Sequence, residues 1–396
     1  MGMAIDHHRL GSPVPFRTDA PVPVYVHIPF CAKRCWYCDF NVVTGLGRLS
    51  GEYLAALIGD IAAFADFLDR PLVSHSIYIG GGTPSIIGGT RLRALLQALI
   101  AAFPPGRDAE ITVEVNPTDA TPQLLGALVD GGANRVSIGV QSFHDTRLAE
   151  LDRLHDGDRA AEAVELARAA GLASVSIDLL YGLPNQDLVG WEADLARAIA
   201  LKPDHISAYA LTLYGAGADA RAASLGGVPA GDALVGYYAL AVARLAVAGY
   251  QHYEVSNWSR PGRRSLHNLA IWQGSEYLGF GCGAHAVVGR RRYSTLRMPA
   301  AYLEARRSGA SVVEWQEDLT DADLLTELIA TSLRTVDGLD LARLREAFGY
   351  DLATVKATVC ESLQTSGYAR LTPNRLVLTD TGLFLADGIA AELLPG

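Results

Sequence analysis

The stretch His27-Ile-Pro-Phe-Cys-Ala-Lys-Arg-Cys-Trp-Tyr-Cys-Asp-Phe40 carries three of the chain's five cysteines within eight residues. Thiolates at Cys31, Cys35 and Cys38 lie close enough for one loop to wrap a single metal centre, with Pro29, Phe30, Trp36, Tyr37 and Phe40 to shield it. Three ligands leave a coordination position open. An iron-sulfur cubane usually takes four cysteines, so one held by three keeps an iron free for a small molecule, as an open catalytic zinc does. Two other readings stand beside this one: a structural zinc with His27 as fourth ligand, and three reduced core cysteines. Zinc sites normally carry a second ligand pair much farther along the chain, which favours the cluster.

Outward from this loop, short β-rich runs alternate with longer Ala- and Leu-rich helical runs, the pattern of parallel strands joined by crossover helices. Six units are predicted, with strands at 22–28, 75–80, 110–116, 135–140, 174–182 and 205–214 and helices at 50–68, 89–103, 121–131, 145–171, 186–201 and 232–249. Val and Ile dominate the strands, and the polar residues gather at their C-terminal ends. In parallel β/α barrels the active site is built at that end. The expected fold is α/β, a partial (β/α)6 barrel of TIM type over residues 21–250 after a leader of 1–20. Residues 251–319, rich in Gly, Asn and aromatics, read as a linker and docking segment. Helical runs at about 321–334, 340–348 and 351–366, with the hairpin YARL-TPN-RLVLT, make residues 320–396 a helical, winged-helix-like module.

At 396 residues and 49% hydrophobic content, the chain can fill a large core and a smaller one. No apolar run is long enough to span a bilayer and no signal-peptide core precedes Tyr25, so the cytoplasm is the expected location. Cys282 and Cys360 are isolated, which suits a reducing compartment better than a disulfide framework. A net charge of −10 argues against nucleic acid as a partner. Arg263-Arg264 and Arg290-Arg291-Arg292 form local basic runs that suit either an acidic ligand or a solvated loop surface.

Gly80-Gly81-Gly82-Thr83-Pro84-Ser85 follows the second strand and lets backbone approach a ligand closely, although a tight β-to-α connection would also explain it. Glu114 and Gln141 close strands three and four, and Asp178 lies near the mouth of strand five. One carboxylate alone reads as a cap or salt bridge. Three polar residues converging on one mouth suit a polar ligand carrying a ribose and an amino acid carboxylate, and Arg153 offers a guanidinium fork for the latter.

The Cys-x-x-x-Cys-x-x-Cys spacing just after a first strand resembles the radical S-adenosylmethionine (SAM) superfamily. The words YVHIPFC and YCDF narrow the resemblance to the branch of oxygen-independent coproporphyrinogen dehydrogenases and heme chaperones. It implies that Cys31, Cys35 and Cys38 hold a [4Fe-4S] cluster whose open iron is chelated by SAM. An electron from the cluster would cleave the sulfonium to methionine and a 5'-deoxyadenosyl radical. Tyr25, Gly81, Gly82, Thr83, Glu114, Gln141, Arg153, Asp178 and Ala210 would surround SAM, with Arg153 on its carboxylate, Gln141 and Asp178 on the ribose, and Thr83 with the glycine backbone on the amino group.

Two departures separate the branches. The dehydrogenases carry a further cysteine where this chain has Phe40, and a longer segment before the first strand. The chaperones have a His-Asn-x-x-Tyr-Trp element, matched here by His267-Asn268-Leu269-Ala270-Ile271-Trp272 with Ile for Tyr. Leu213-Tyr214-Gly215 also departs from the family, which usually has an acidic residue there. The resemblance implies heme with His267 as axial ligand, Trp272 against the macrocycle and the Arg runs on the propionates. A histidine beside apolar residues is otherwise a structural one. The expected function is a heme chaperone that passes heme to an acceptor hemoprotein, served by an electron donor such as flavodoxin or ferredoxin. The alternative is a radical SAM enzyme: a coproporphyrinogen dehydrogenase, or a related methyltransferase or cyclopropanase.

Overall fold

Each central strand carries two different faces, because Val and Ile alternate with small polar residues. The six parallel strands are β1 (Val22–Ile28), β2 (Ser74–Gly81), β3 (Pro105–Val115), β4 (Arg135–Gln141), β5 (Ser174–Tyr181) and β6 (His205–Ala210). In this computed structural model, which describes residues 20–68, 70–229 and 231–395 together with Phe16, their apolar phase packs into one large core. Ile77, Val136, Ile177 and Ile206 are fully buried there. The opposite phase faces the barrel interior and is polar: Ser76, Thr112, Arg135, Ser137, Ser176 and His205 are all buried. A TIM barrel normally fills its centre with branched apolar residues; this one fills it with a hydrogen-bonded network.

The alternating β/α pattern is found where the sequence predicts it, with two differences. The helix expected over 145–171 is two helices, Asp145–Glu150 and Gly157–Ala169. Asp152 takes a left-handed φ of 60° and Asp156 caps the second helix by accepting from the Arg159 amide at 2.7 Å. The sixth strand ends at Ala210, and the residues after Gly215 form a helix, Ala216–Ser224, instead of continuing the strand to 214.

Residues 251–319, expected as a linker and docking segment, are built into the barrel itself. They supply β7 (Gln251–Glu254), β8 (Asn257–Ser259) and β9 (Leu278–Phe280), giving a nine-stranded sheet in the order β9-β1-β2-β3-β4-β5-β6-β8-β7. β9 runs parallel to β1, with Val24 opposite Leu278, while β8 runs antiparallel to β6, with Asn257 opposite Ser207. β1 and β6 do not pair, so the barrel stays open, as six units imply.

The helix Leu266–Trp272 packs against β1, β2 and β3. Glu110 fixes its N-terminus, accepting from Ser265 Oγ at 3.1 Å, the Leu266 amide at 3.1 Å and the His267 amide at 3.4 Å. The Arg135 guanidinium stands 3.8 Å from the same carboxylate. Beyond β9 a small antiparallel sheet, β10 (His285–Val288), β11 (Arg291–Thr295) and β12 (Val313–Asp318), packs beside the cysteine loop.

The C-terminal module has its own core around Ile329, Leu344, Leu376 and Leu393. It contains helices Asp321–Ser332, Leu341–Phe348 and Ala357–Thr365, and the hairpin of Ala369–Leu371 and Arg375–Leu378. The short strand Leu339–Asp340 joins the hairpin. Thr320 and Asp323 form a capping box at the module's entrance. Apart from Phe16 and Ala20, the leader expected over residues 1–20 lies outside the described residues. Among the described residues no helix is long and apolar enough to cross a membrane.

Removing Glu110 strands Arg135 as a buried charge and releases three donors. Glu110→Ala is therefore expected to destabilise the protein by about 3–5 kcal/mol, the scale for breaking a buried pair. Coincident urea unfolding curves for variant and parent would contradict this role.

Candidate functional site

Where β1 ends, the chain turns through Pro29 into a two-residue parallel ladder, Phe30 opposite Val43 and Cys31 opposite Thr44. This ladder closes the cysteine loop at its base. The turn after β2 is fastened beneath it, because Gly82 N donates to Ile28 O at 2.8 Å and Thr83 N to Phe30 O at 2.9 Å. A Cβ on Gly82 would stand 2.8 Å from Phe30 O, so only glycine permits this approach. Thr83 Oγ1 then reaches Cys31 Sγ at 3.3 Å.

On its other side the loop leans on the break between the two short-range helices. Trp36 Nε1 donates to Glu150 O at 2.8 Å, and Lys33 pairs with Asp152 at 2.7 Å. Arg153 leaves this break pointing into the barrel mouth. Its Nη2 donates to Gly139 O at 2.8 Å and its Nη1 lies 3.9 Å from Cys35 Sγ. His155 ties the break to β4 by a 3.1 Å bond between Nε2 and Val140 O.

The three thiols are partly exposed on a loop that faces a cavity. His27 is not available as a fourth zinc ligand. Its Nδ1 is 2.9 Å from the Tyr25 hydroxyl and its Nε2 is 2.8 Å from Asn41 O. Among the described residues, no three His, Cys, Asp or Glu side chains converge tightly enough for one metal ion. Three soft donors on one loop beside a cavity fit a thiolate-held cluster.

The cavity beside the thiols measures about 530 Å³, and Gly81, Gly82, Thr83, Glu114, Gln141, Arg153, Asp178 and Ala210 all line it. Tyr25 lines an adjoining cavity whose wall it shares with Gly81 and Glu114. Glu114 accepts from the Tyr78 hydroxyl at 2.8 Å and the Gly81 amide at 3.1 Å. Burial nonetheless pushes its carboxyl up to about 7, so it can hold a proton near neutrality. Burial and the nearby Glu114 push the Tyr25 phenol far up, and burial also raises Asp178 against the hydrogen bonds it accepts from Ser207 and Ser137.

Two polar atoms at this mouth lack partners. Gln141 Oε1 and Arg153 Nε are buried and make no hydrogen bond, and Gln141 is held at a left-handed φ of 64°. Buried polar atoms normally have partners, and both of these orphaned atoms belong to residues that line the cavity.

His267 and Trp272, the residues expected at heme, line neither of these cavities. His267 is in the barrel interior, with Nδ1 2.9 Å from Ser76 Oγ and its ring 5.0 Å from that of Tyr78. Burial pushes its pKa down to about 3. The ring is covered by the helix Leu266–Trp272, a plug helix packed on β1, β2 and β3. Trp272 lies under the Arg334 guanidinium at 4.9 Å and so faces the C-terminal module.

The Arg runs are also committed. Arg263 pairs with Asp204 at 3.8 Å, Arg264 with Asp337 at 3.3 Å, Arg290 with Asp321 at 2.5 Å and Arg291 with Asp318 at 2.8 Å, while Arg292 pairs with Glu317 and Glu327. Each of the arginines expected on the propionates thus already has a carboxylate partner.

Sequence reasoning does not find the adjoining cavity. It measures about 540 Å³ and takes its outer wall from His285, Ser294 and Trp315 of β10, β11 and β12 and from Arg297 just after β11. Its only trace in the chain is the turn-rich run Gly281-Cys-Gly-Ala-His285.

A family model described as the radical SAM superfamily matches residues 25–197, and one described as the HemN C-terminal domain matches residues 319–385. The chain is 39% identical over 397 residues to a Mycobacterium tuberculosis protein named heme chaperone HemW, covering 97% of this chain and 98% of that one. A protein of the same name from Escherichia coli is 36% identical over 328 residues, covering 80% of this chain and 83% of the relative. The solved structure of coproporphyrinogen III oxidase (HemN) from Escherichia coli superposes with a TM-score of 0.82 at 23% identity, over 100% of this chain and 99% of that one, which is a likeness of fold.

Replacing Cys31, Cys35 or Cys38 with Ala should abolish stoichiometric iron and sulfide after anaerobic reconstitution; zinc without sulfide in the parent would refute the cluster. Arg153→Ala should weaken SAM binding by roughly 1.5–3 kcal/mol, the scale of a lost hydrogen bond to a charged group, and Asp178→Asn by less. Calorimetric titration reads both, and parental affinity in the Arg153 variant would remove it from the ligand.

Proposed function

We propose, from the premise that this chain belongs to the HemW family of radical SAM proteins, that it binds heme and delivers it to an acceptor hemoprotein. One observation carries the reading: identity of 39% to a heme chaperone over nearly the whole of both chains. Likeness to the coproporphyrinogen oxidase supports only the fold. Phe40, in place of the cysteine expected of the dehydrogenases, supports the same choice.

In this reading Cys31, Cys35 and Cys38 hold the [4Fe-4S] cluster, and the cavity beside them holds SAM. The cluster and SAM, when bound, supply one-electron reductive cleavage of the sulfonium. The protein's part is to bind and orient. Arg153, anchored on Gly139 O, offers its guanidinium to the SAM carboxylate, and Gln141 and Asp178 face the ribose hydroxyls. Thr83 and the glycine backbone face the amino group, with Ala210 on the opposite wall and Tyr25 closing the side shared with the second cavity. Glu114, near neutral pKa, holds a proton where the two cavities meet. A flavodoxin or ferredoxin would supply the electron, and the cytoplasm is the location that goes with these partners.

The alternative, a radical SAM enzyme, draws on that same adjoining cavity, which gives a second molecule room beside SAM. Anaerobic reconstitution separates the two. Hemin added to the reconstituted protein, with and without dithionite and SAM, should give a Soret band at one equivalent, while coproporphyrinogen III should remain undecarboxylated. Absence of the band together with a decarboxylated product would establish the enzyme instead.

A further inference from the structure

The cavity between the cysteine loop and the small antiparallel sheet has the make-up of a built site. His285, Ser294 and Trp315 are opposite one another across β10, β11 and β12, so their side chains form one row on one face of that sheet. All three line the cavity. The facing wall is Phe40 and Asn41 of the cysteine loop with Tyr25 of β1. Phe40 is 60% exposed and Trp315 is 45% exposed, two large apolar surfaces left open on opposite sides of one space. A volume of about 540 Å³ suits a small-molecule ligand, for which pockets of roughly 300–1,000 Å³ are usual.

Two polar groups there are free where their neighbours are not. Arg297 has no carboxylate partner among the described residues, although Arg290, Arg291, Arg292, Arg306 and Arg307 beside it are all paired. His285 makes no hydrogen bond among the described residues, in contrast to His27, His205 and His267, whose rings are held. Burial, with Arg292 and Arg297 nearby, lowers the pKa of His285, which leaves the imidazole neutral with a lone pair to donate.

The position is held firmly against the cluster loop. Asn41 Nδ2 donates to Cys282 O and to Arg297 O, both at 3.0 Å. Gly283, at a φ of 71°, lies so close that a Cβ would stand 2.5 Å from that amide.

We propose that this cavity is the heme site, with His285 as axial ligand, Arg297 on a propionate, and Phe40 and Trp315 flanking the macrocycle. The proposal rests on the heme-chaperone reading and names the place that reading lacks. A neutral imidazole is a normal heme ligand, a free guanidinium suits a carboxylate arm, and aromatic faces pack on a planar ring. The wall shared through Phe40, Gly81 and Glu114 would put such a heme directly beside SAM.

Hemin titrated into the reconstituted full-length protein and its His285→Ala, Arg297→Ala and His267→Ala variants tests this, with SAM binding as the check that each variant is folded. His285→Ala should weaken hemin on the order of tenfold or more, at least the loss seen when support for a metal ligand is removed, and should shift the Soret band. Added imidazole should restore the parental spectrum. Arg297→Ala should weaken hemin about two- to fivefold, as expected of an exposed ion pair. His267→Ala should leave the spectrum parental. If the parent binds hemin and His285→Ala matches it in spectrum and affinity, the site is wrong while the chaperone reading stands. Loss in His267→Ala instead would move the ligand into the barrel. A parent that binds no hemin overturns the chaperone reading, and this proposal with it.

Discussion

A barrel with a polar inner face must find a partner for every group it points inward, since each one left alone in the interior costs about 1–3 kcal/mol. Most of this molecule's architecture answers that constraint. His205 is bridged between Ser176 at 2.8 Å and the Tyr253 hydroxyl at 2.7 Å, and Asp178 takes Ser137 at 3.0 Å. The helix Leu266–Trp272 enters from outside the β/α repeat and brings His267 to Ser76 and its own amides to Glu110. At the mouth the supply of protein partners ends at Gln141 Oε1 and Arg153 Nε.

The six β/α units are legible in the chain because their strands are long Val and Ile runs and their helices have clear periodicity. The residues proposed for cluster and SAM are legible for a related reason: each sits at a fixed place relative to a strand end, so finding the strand finds the residue. Arg153 is a partial exception. Its type and place are visible, but the pattern runs as one helix from Asp145 to Gly171. The left-handed Asp152 and the cap at Asp156, which turn Arg153 inward, leave no mark on hydrophobic periodicity.

Residues 251–319 are much less legible. Their strands are three to six residues long and separated by glycines and turns, too short for alternation to stand out. Two of their pairings, β9 with β1 and β8 with β6, join strands far apart in the chain. A run such as Arg290-Arg291-Arg292 looks like a surface for an anion, yet Asp318, Glu317 and Glu327 are brought to it by β12 and the helix that follows. Charge runs in a sequence show only one half of an ion pair. The same long-range assembly hides the second cavity, since His285 and Trp315 become neighbours only across a three-stranded sheet.

The pairing of Val24 with Leu278 also bears on how the protein is made. As the chain emerges from the ribosome, β1 has a bare edge until β9 has been synthesised, and such edges invite pairing with other chains. The plug helix comes from the same late stretch, so the polar interior stays wet until then. Contacts this distant in sequence form slowly. The cysteine loop directly follows β1, and its clamp through Asn41 to Cys282 O and Arg297 O belongs to the same late event. The cysteine loop therefore gains its clamp only after Arg297 has been made, and chains that stop short of β9 present three loose thiols to any oxidant or stray metal in their surroundings.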